Sequence, residues 1–194
     1  MSRFLHVRPG RQQGFTLVEV AIVAAIVLIA AIIGIPAING YVIENKVPAV
    51  GQELHRFIAR TKVSSQGLGN TPYTGIGIAQ LANSLRSSSV ITVAGSGATA
   101  TVRHGLGATD GRIVLAADTL TSSGDAFGLT LDKVNEAACP ALAAVMQRVS
   151  ERIVINSVTV KQPGTGGAAG TYNAAGADAA CTSGDTNSFS FTAR

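Results

Sequence analysis

The chain has 194 residues, of which 46% are hydrophobic, 13% charged and only 5% aromatic, with no tryptophan. A charged fraction about half the usual quarter, beside ample apolar content, excludes intrinsic disorder as the general state, and the length suits one domain with an extension. The formal charge of +4 does not indicate a nucleic-acid surface, because Arg3, Arg8 and Arg11 all precede residue 15 and the other 12 basic residues face 11 acidic ones. Two cysteines, Cys139 and Cys181, could close one disulfide, and no CxxC or Cys/His cluster suggests zinc or redox chemistry.

Residues 15–35 read FTLVEVAIVAAIVLIAAIIGI, 21 residues with a single charge at Glu19. As a helix this segment would span about 31 Å, the thickness of a bilayer's hydrocarbon core. Three arginines without an acid precede it, whereas Glu44, Lys46 and Glu53 follow in near balance. The basic side is therefore expected to stay cytoplasmic and the rest of the chain to be exported, into a compartment where a disulfide persists. An ordinary secretory signal has a shorter apolar stretch and a small-residue cleavage site after it. A plain membrane anchor does not explain a carboxylate five residues into the span. An unpaired charge there costs about 2.5–3.5 kcal/mol on insertion scales and demands a partner.

The segment Gly14-Phe15-Thr16-Leu17-Val18-Glu19, after a short basic leader and before an apolar run, resembles the N-terminus of type IV prepilins. The resemblance implies that a membrane prepilin peptidase cuts between Gly14 and Phe15 and N-methylates Phe15, removing residues 1–14. It also implies a subunit that polymerises through its N-terminal helix into an extracellular filament. A methylated amine stays cationic, so the Glu19 of one subunit can neutralise the Phe15 amine of its neighbour in an apolar bundle, where electrostatics is strong. The alternative is that Glu19 bonds only within its own chain.

Gly34, Pro36 and Gly40 interrupt the pattern, and Pro36 is expected to kink or locally melt the helix. Pro48 and Gly51 form a weaker second interruption. Val47, Val50, Leu54, Phe57, Ile58 and Thr61 recur at three- and four-residue spacing, so residues 39–66 read as an amphipathic continuation with one face to bury. The reading is thus a leader (1–14), a hydrophobic transmembrane and polymerisation helix (15–38), its amphipathic second half (39–66) and a globular head (67–194).

In the head, a short helix is expected over 78–86 and strands over 89–93, 99–103, 112–116 and 127–131, separated by Gly, Ser and Asp clusters. A second helix starts near Pro140, with Leu142, Val145, Met146 and Val149 on its apolar face. Residues 153–161 alternate as a strand, residues 164–180 read as a low-complexity surface loop, and residues 187–192 form a final strand with Phe189 and Phe191 on one face. The fold class is α+β, a long helix on an antiparallel sheet with a C-terminal region, 139–181, bounded by the two cysteines. Ala138-Cys139 at a helix start, and Cys181-Thr182-Ser183-Gly184-Asp185-Thr186-Asn187 before a last strand, resemble type IVb pilins. The 14-residue leader and Phe15 look instead like type a, and the subclass stays open.

No catalytic constellation emerges. His6 falls in the leader, leaving His55 and His104 as the only candidate bases, and neither sits in a nucleophile motif. Gly105-Leu106-Gly107-Ala108-Thr109-Asp110-Gly111 lacks the Lys-Ser/Thr of a phosphate-binding loop and reads better as a hairpin turn on Asp110-Gly111. Asp178 and Asp185 lack calcium-loop spacing. The expectation is a non-enzymatic structural subunit without cofactor or metal. Its expected partners are copies of itself, the prepilin peptidase, the inner-membrane pilus assembly machinery and, before assembly, the lipid bilayer. It would lie in the inner membrane as a precursor and then in an extracellular fimbrium. Rival readings are a minor pilin or type II secretion pseudopilin, and a membrane-anchored periplasmic binding module.

Overall fold

The computed structural model describes residues 14–164 and 170–194. Residues 1–13, with Arg3, Arg8, Arg11 and His6 of the expected leader, and residues 165–169 of the low-complexity segment lie outside the described residues. The chain divides into two compact units, Met1–Ile38 and Asn39–Arg194. Helix α1 runs from Leu17 to Ser64, 48 residues. Its helical assignment is continuous through Gly34, Pro36, Gly40, Pro48 and Gly51, so the local melting expected at Pro36 and the second interruption at Pro48–Gly51 do not occur. Pro48 is tolerated because it lies on the exposed side, where the Glu44 carbonyl that loses its donor can meet water. Gly51 has a packing reason: a Cβ there would lie 2.5 Å from Val145 Cγ1, so the glycine lets another helix approach closely.

That helix is α3, Cys139–Met146, which has Pro140 in its first turn. It is preceded by α2, Ile78–Leu85, which buries Leu81, Ala82 and Leu85. The strands are β1 (Thr92–Ala94), β2 (Thr101–Arg103), β3 (Arg112–Thr119), β4 (Ser123–Val134), β5 (Arg152–Ile155), β6 (Val158–Lys161) and β7 (Asn187–Ala193). They form one seven-stranded sheet in the order β1-β2-β3-β4-β7-β5-β6, and every pairing is antiparallel. The last strand therefore sits inside the sheet, between β4 and β5, and the chain must close its longest loops to complete it.

Several boundaries differ from the sequence expectations for identifiable reasons. β1 begins only at Thr92 because the Ser88 hydroxyl accepts the Val90 and Ile91 N–H groups and holds them in a turn. Residues 97–99 form a 3₁₀ turn, so β2 starts at Thr101. β3 and β4 extend beyond their apolar centres because the Asp125 carboxylate closes the turn between them, accepting N–H groups of Leu120 and Thr121 at 2.8 and 2.9 Å. The expected strand 153–161 is a hairpin, since Asn156 and Ser157 adopt φ of 47° and 72°, the paired left-handed conformation that turns one strand back on itself. The β2–β3 connection is an eight-residue loop rather than a tight hairpin; Asp110-Gly111 lies in a turn closed by the Gly111 N–H on the Ala108 carbonyl.

The amphipathic stripe of α1 meets the sheet as its spacing requires. Val47, Val50, Leu54, Phe57 and Ile58 are buried with Leu129, Leu131, Ile153, Phe189 and Phe191 in one core. Phe57 packs edge-on against Phe127 at 6.4 Å between ring centroids, and Phe189 stacks on Phe191 at 5.4 Å. Each large side chain fully buried in this way contributes about 1.5–3 kcal/mol, so the stripe, rather than helix propensity, holds this half of α1.

The C-terminal region is more structured than a surface loop. Cys139 and Cys181 form a disulfide with their Cα atoms 6.0 Å apart, worth roughly 4 kcal/mol on the chain-entropy account for a loop of this size. Between them lies α4, Ala174–Ala180, whose N-cap Asn173 accepts the Gly176 N–H and whose Ala177 is buried. Fully buried Asn187 ties the region together. Its Oδ1 accepts from the Thr182 N–H, the Thr182 hydroxyl and Asn156 Nδ2. Its Nδ2 donates to the Val134 and Thr182 carbonyls. One side chain thus links β4, the β5–β6 turn and the segment leaving the disulfide.

Two stability predictions follow from this packing. Gly51→Ala gains up to about 1 kcal/mol of helix propensity but overpacks Val145, which costs about 1–3 kcal/mol; denaturant unfolding should show net destabilisation, and a stabilised variant would contradict the close-approach role. Asn187→Ala strands buried backbone groups of Val134 and Thr182 and should cost about 2–4 kcal/mol with the disulfide intact, whereas a loss below about 1 kcal/mol would show that water replaces the network.

Candidate functional site

The start of α1 is built by two side chains. Gly14, Phe15 and Thr16 lie outside the helix and are exposed. The Thr16 hydroxyl accepts the Glu19 N–H at 3.2 Å, and Glu19 Oε2 accepts the Thr16 N–H at 3.5 Å. This is a capping box, in which the first free N–H groups of a helix are satisfied reciprocally. The helix begins only after the Gly14–Phe15 bond, whose two residues lie outside it and are exposed. Thr16 was not singled out in the sequence as a functional residue, although Thr-x-x-Glu before an apolar run is the signal for such a box.

Glu19 faces an apolar surface. With Phe15, Val20, Val23, Ala24 and Val27 it lines a shallow groove of about 470 Å³ in which, among the described residues, it supplies the only charge. The helix N-terminus favours a carboxylate at this position. The cap uses Oε2, and Oε1 has no hydrogen-bond partner among the described residues. Self-capping and pairing with an outside cation are thus compatible, and the structure brings Phe15 and Glu19 to one face. Along the same segment Ile22, Val23, Ile26, Val27, Ile29, Ile32 and Ile33 are each more than half exposed. Among the described residues α1 is the one helix long and apolar enough to cross a membrane.

The other candidates have structural occupations. His55, half-buried on α1, places Nε2 3.0 Å from the Val145 carbonyl and so satisfies one of the last carbonyls of α3. His104 is fully buried; burial lowers its pKa, against the opposing pull of Asp132 and Asp185. In the glycine-rich loop after it, the Leu106 N–H goes to His104 Nδ1, the Ala108 N–H to the Lys133 carbonyl and the Gly111 N–H to the Ala108 carbonyl. Those donors are occupied and cannot cradle a phosphate. Asp178 lies on α4, while Asp185 accepts from Asn135 Nδ2 at 2.6 Å. Among the described residues no three His, Cys, Asp or Glu side chains gather as a metal site.

Residues 9–35 match the family model for the prokaryotic N-terminal methylation motif. No curated protein sequence matches the chain. Among solved structures, TcpA, a type IV pilin from Vibrio cholerae El Tor biotype, is 16% identical with a TM-score of 0.50, the match covering 77% of this chain and 99% of that one. The type IV b pilin from Salmonella typhi is 22% identical with a TM-score of 0.48, covering 76% and 96% of the respective chains. The chain thus carries the prokaryotic N-terminal methylation motif over residues 9–35, and its long helix on an antiparallel sheet is the fold of type IV pilins.

Proposed function

We propose that this chain is a prepilin whose mature form is the structural, non-enzymatic subunit of an extracellular type IV filament. The observation that carries the reading is Glu19, a lone carboxylate on an exposed apolar helical stripe, beside a Gly14–Phe15 bond that lies outside the helix and is exposed. A prepilin peptidase would hydrolyse that bond with water, converting the Phe15 amide nitrogen into an amine, and then transfer to that amine a methyl group from a separate methyl donor, with loss of a proton from nitrogen. The retained segment 15–38 would hold the subunit in the inner membrane until the assembly machinery extracts it into a helical bundle. There the Phe15 cation of one copy meets the free oxygen of Glu19 on the next. The attraction favours one axial stagger, and leaving either charge unpaired in the bundle would cost about 3–5 kcal/mol.

Pro36 has no N–H for the Ile32 carbonyl, so it is the point where α1 would bend to fit a packed fibre. The domain and disulfide region would form the outer sheath. Such a fibre serves adhesion, aggregation, motility, DNA uptake or conjugation. The disulfide region favours a true pilus subunit over a type II secretion pseudopilin, and abundance in fibres separates a major from a minor subunit or an anchored binding module.

The test is the N-terminus of the processed protein together with electron microscopy of sheared surface fibres. Mass spectrometry should find methylated Phe15 as the first residue, and the same subunit should dominate the fibre fraction. An N-terminus at Met1 or beyond Pro36 would overturn the prepilin reading. A subunit processed correctly but found only in the membrane would overturn the filament role.

A further inference from the structure

Residues 104–111, which join β2 to β3, are pinned by one side chain. His104 is fully buried, and both ring nitrogens are used: Nδ1 accepts the Leu106 N–H at 3.0 Å, and Nε2 lies 2.7 Å from the Asp132 carbonyl. An acceptor on one nitrogen and a donor on the other is the pattern of a neutral imidazole with its proton on Nε2. The ring is also tightly enclosed, since a Cβ on Gly111 would lie 2.6 Å from Nε2. The loop's remaining attachments follow from this pin. Leu106 is fully buried, its carbonyl accepts the Asn135 N–H at 2.8 Å, and Gly107 forms a bridge to Val134.

We propose that His104 is an acid-operated latch, and that mild acidification releases the 104–111 loop from β4 while the sheet beneath it stays folded. A second proton would sit on Nδ1, where the Leu106 N–H already points, so that two donors would face each other in a site closed to water. Charged residues lie on each of the elements that frame the loop, and two of them, Asp132 and Asp185, act on the ring. Asp132 and Lys133 belong to β4, Asp110 to the loop itself, Arg103 to β2, Arg112 to β3 and Asp185 to the segment before β7. Most of them are already engaged. Asp132 Oδ1 accepts the Arg112 N–H, Asp110 pairs with Lys133, Arg103 donates to the Thr109 carbonyl and Asp185 accepts from Asn135. The carboxylates of Asp132 and Asp185 favour a charged ring, but desolvation outweighs them and the ring's pKa lies below its ordinary value.

The direction of the pH effect follows. An imidazole freed by opening takes up a proton near pH 6.5, whereas the enclosed ring does so only at lower pH. Above about pH 6.5 both states are neutral there and the latch holds fully. Below it the open state binds more protons, and the opening equilibrium rises about tenfold per pH unit until the enclosed ring also protonates. Opening would expose Leu106 and separate Asp110 from Lys133, changing the surface of the folded domain with acidity.

The test is amide hydrogen exchange on the full, disulfide-intact chain in detergent at pH 7.5 and 5.5, corrected for the intrinsic pH dependence of exchange. Protection of the Leu106, Ala108 and Gly111 amides should fall severalfold, up to about tenfold, over this range, while β4–β7 amides keep theirs. pH-independent loop protection, or equal loss across the sheet, would overturn the proposal. His104→Gln should remove the pH dependence, and retention of it would overturn the assignment to His104; should that variant not fold, the wild-type profile alone decides.

Discussion

A carboxylate on an apolar helix must find a donor or a cation once water is excluded. Glu19 is the only charged residue between positions 15 and 43. One oxygen closes the helix start on Thr16, and the other has no hydrogen-bond partner among the described residues. On the proposed reading its partner is the amine created at Phe15 by leader removal, so processing and assembly are chemically linked. Before cleavage the Phe15 nitrogen is a neutral amide and the cation does not exist.

The rest of the molecule depends on the same helix for a different reason. Beyond residue 39 its apolar stripe supplies part of the core on which the sheet closes. The last strand, β7, is an interior strand of the sheet, inserted between β4 and β5. Long-range closure of this kind costs chain entropy before contacts repay it. The Cys139–Cys181 bond shortens the effective loop, and Asn187 fixes where β7 begins by bonding to β4, the β5–β6 turn and Thr182. Disulfide and buried amide therefore address the same difficulty, one in the unfolded chain and the other in the folded one.

Much of this was legible in the sequence, and the reasons are physical. The lone acid in an apolar run, the three- and four-residue spacing from Val47 to Thr61, and the alternation placing Phe189 and Phe191 on one face are patterns imposed by burial, which periodicity reports directly. What escaped was set by side chain–backbone bonds that leave little trace in apolar periodicity. Ser88 delays β1, Asp125 lengthens the β3–β4 hairpin, and Asn156-Ser157 folds an apparently continuous strand in two. Gly51 read as a helix breaker because its reason for being glycine is Val145, ninety-four positions away. His104 looked like a spare base until the Leu106 N–H and the Asp132 carbonyl were seen to occupy its ring. Thr16 was present in the motif, yet its partnership with Glu19 becomes apparent only when the helix start is seen.

The capping role makes the choice of substitution at Glu19 decisive. Alanine removes both the cap and the charge, whereas glutamine keeps a carbonyl oxygen for the Thr16 N–H and serves a capping box as glutamate does. The most direct measurement is therefore the number of surface fibres formed by Glu19→Gln and Glu19→Ala subunits, in cells matched for the amount of subunit processed to Phe15. The account predicts that both variants are cleaved and inserted normally, and that glutamine, despite an intact helix start, assembles far fewer fibres than wild type. Glu19→Gln fibres as abundant as wild type would contradict it, and would leave the carboxylate as a local cap with no part in joining subunits.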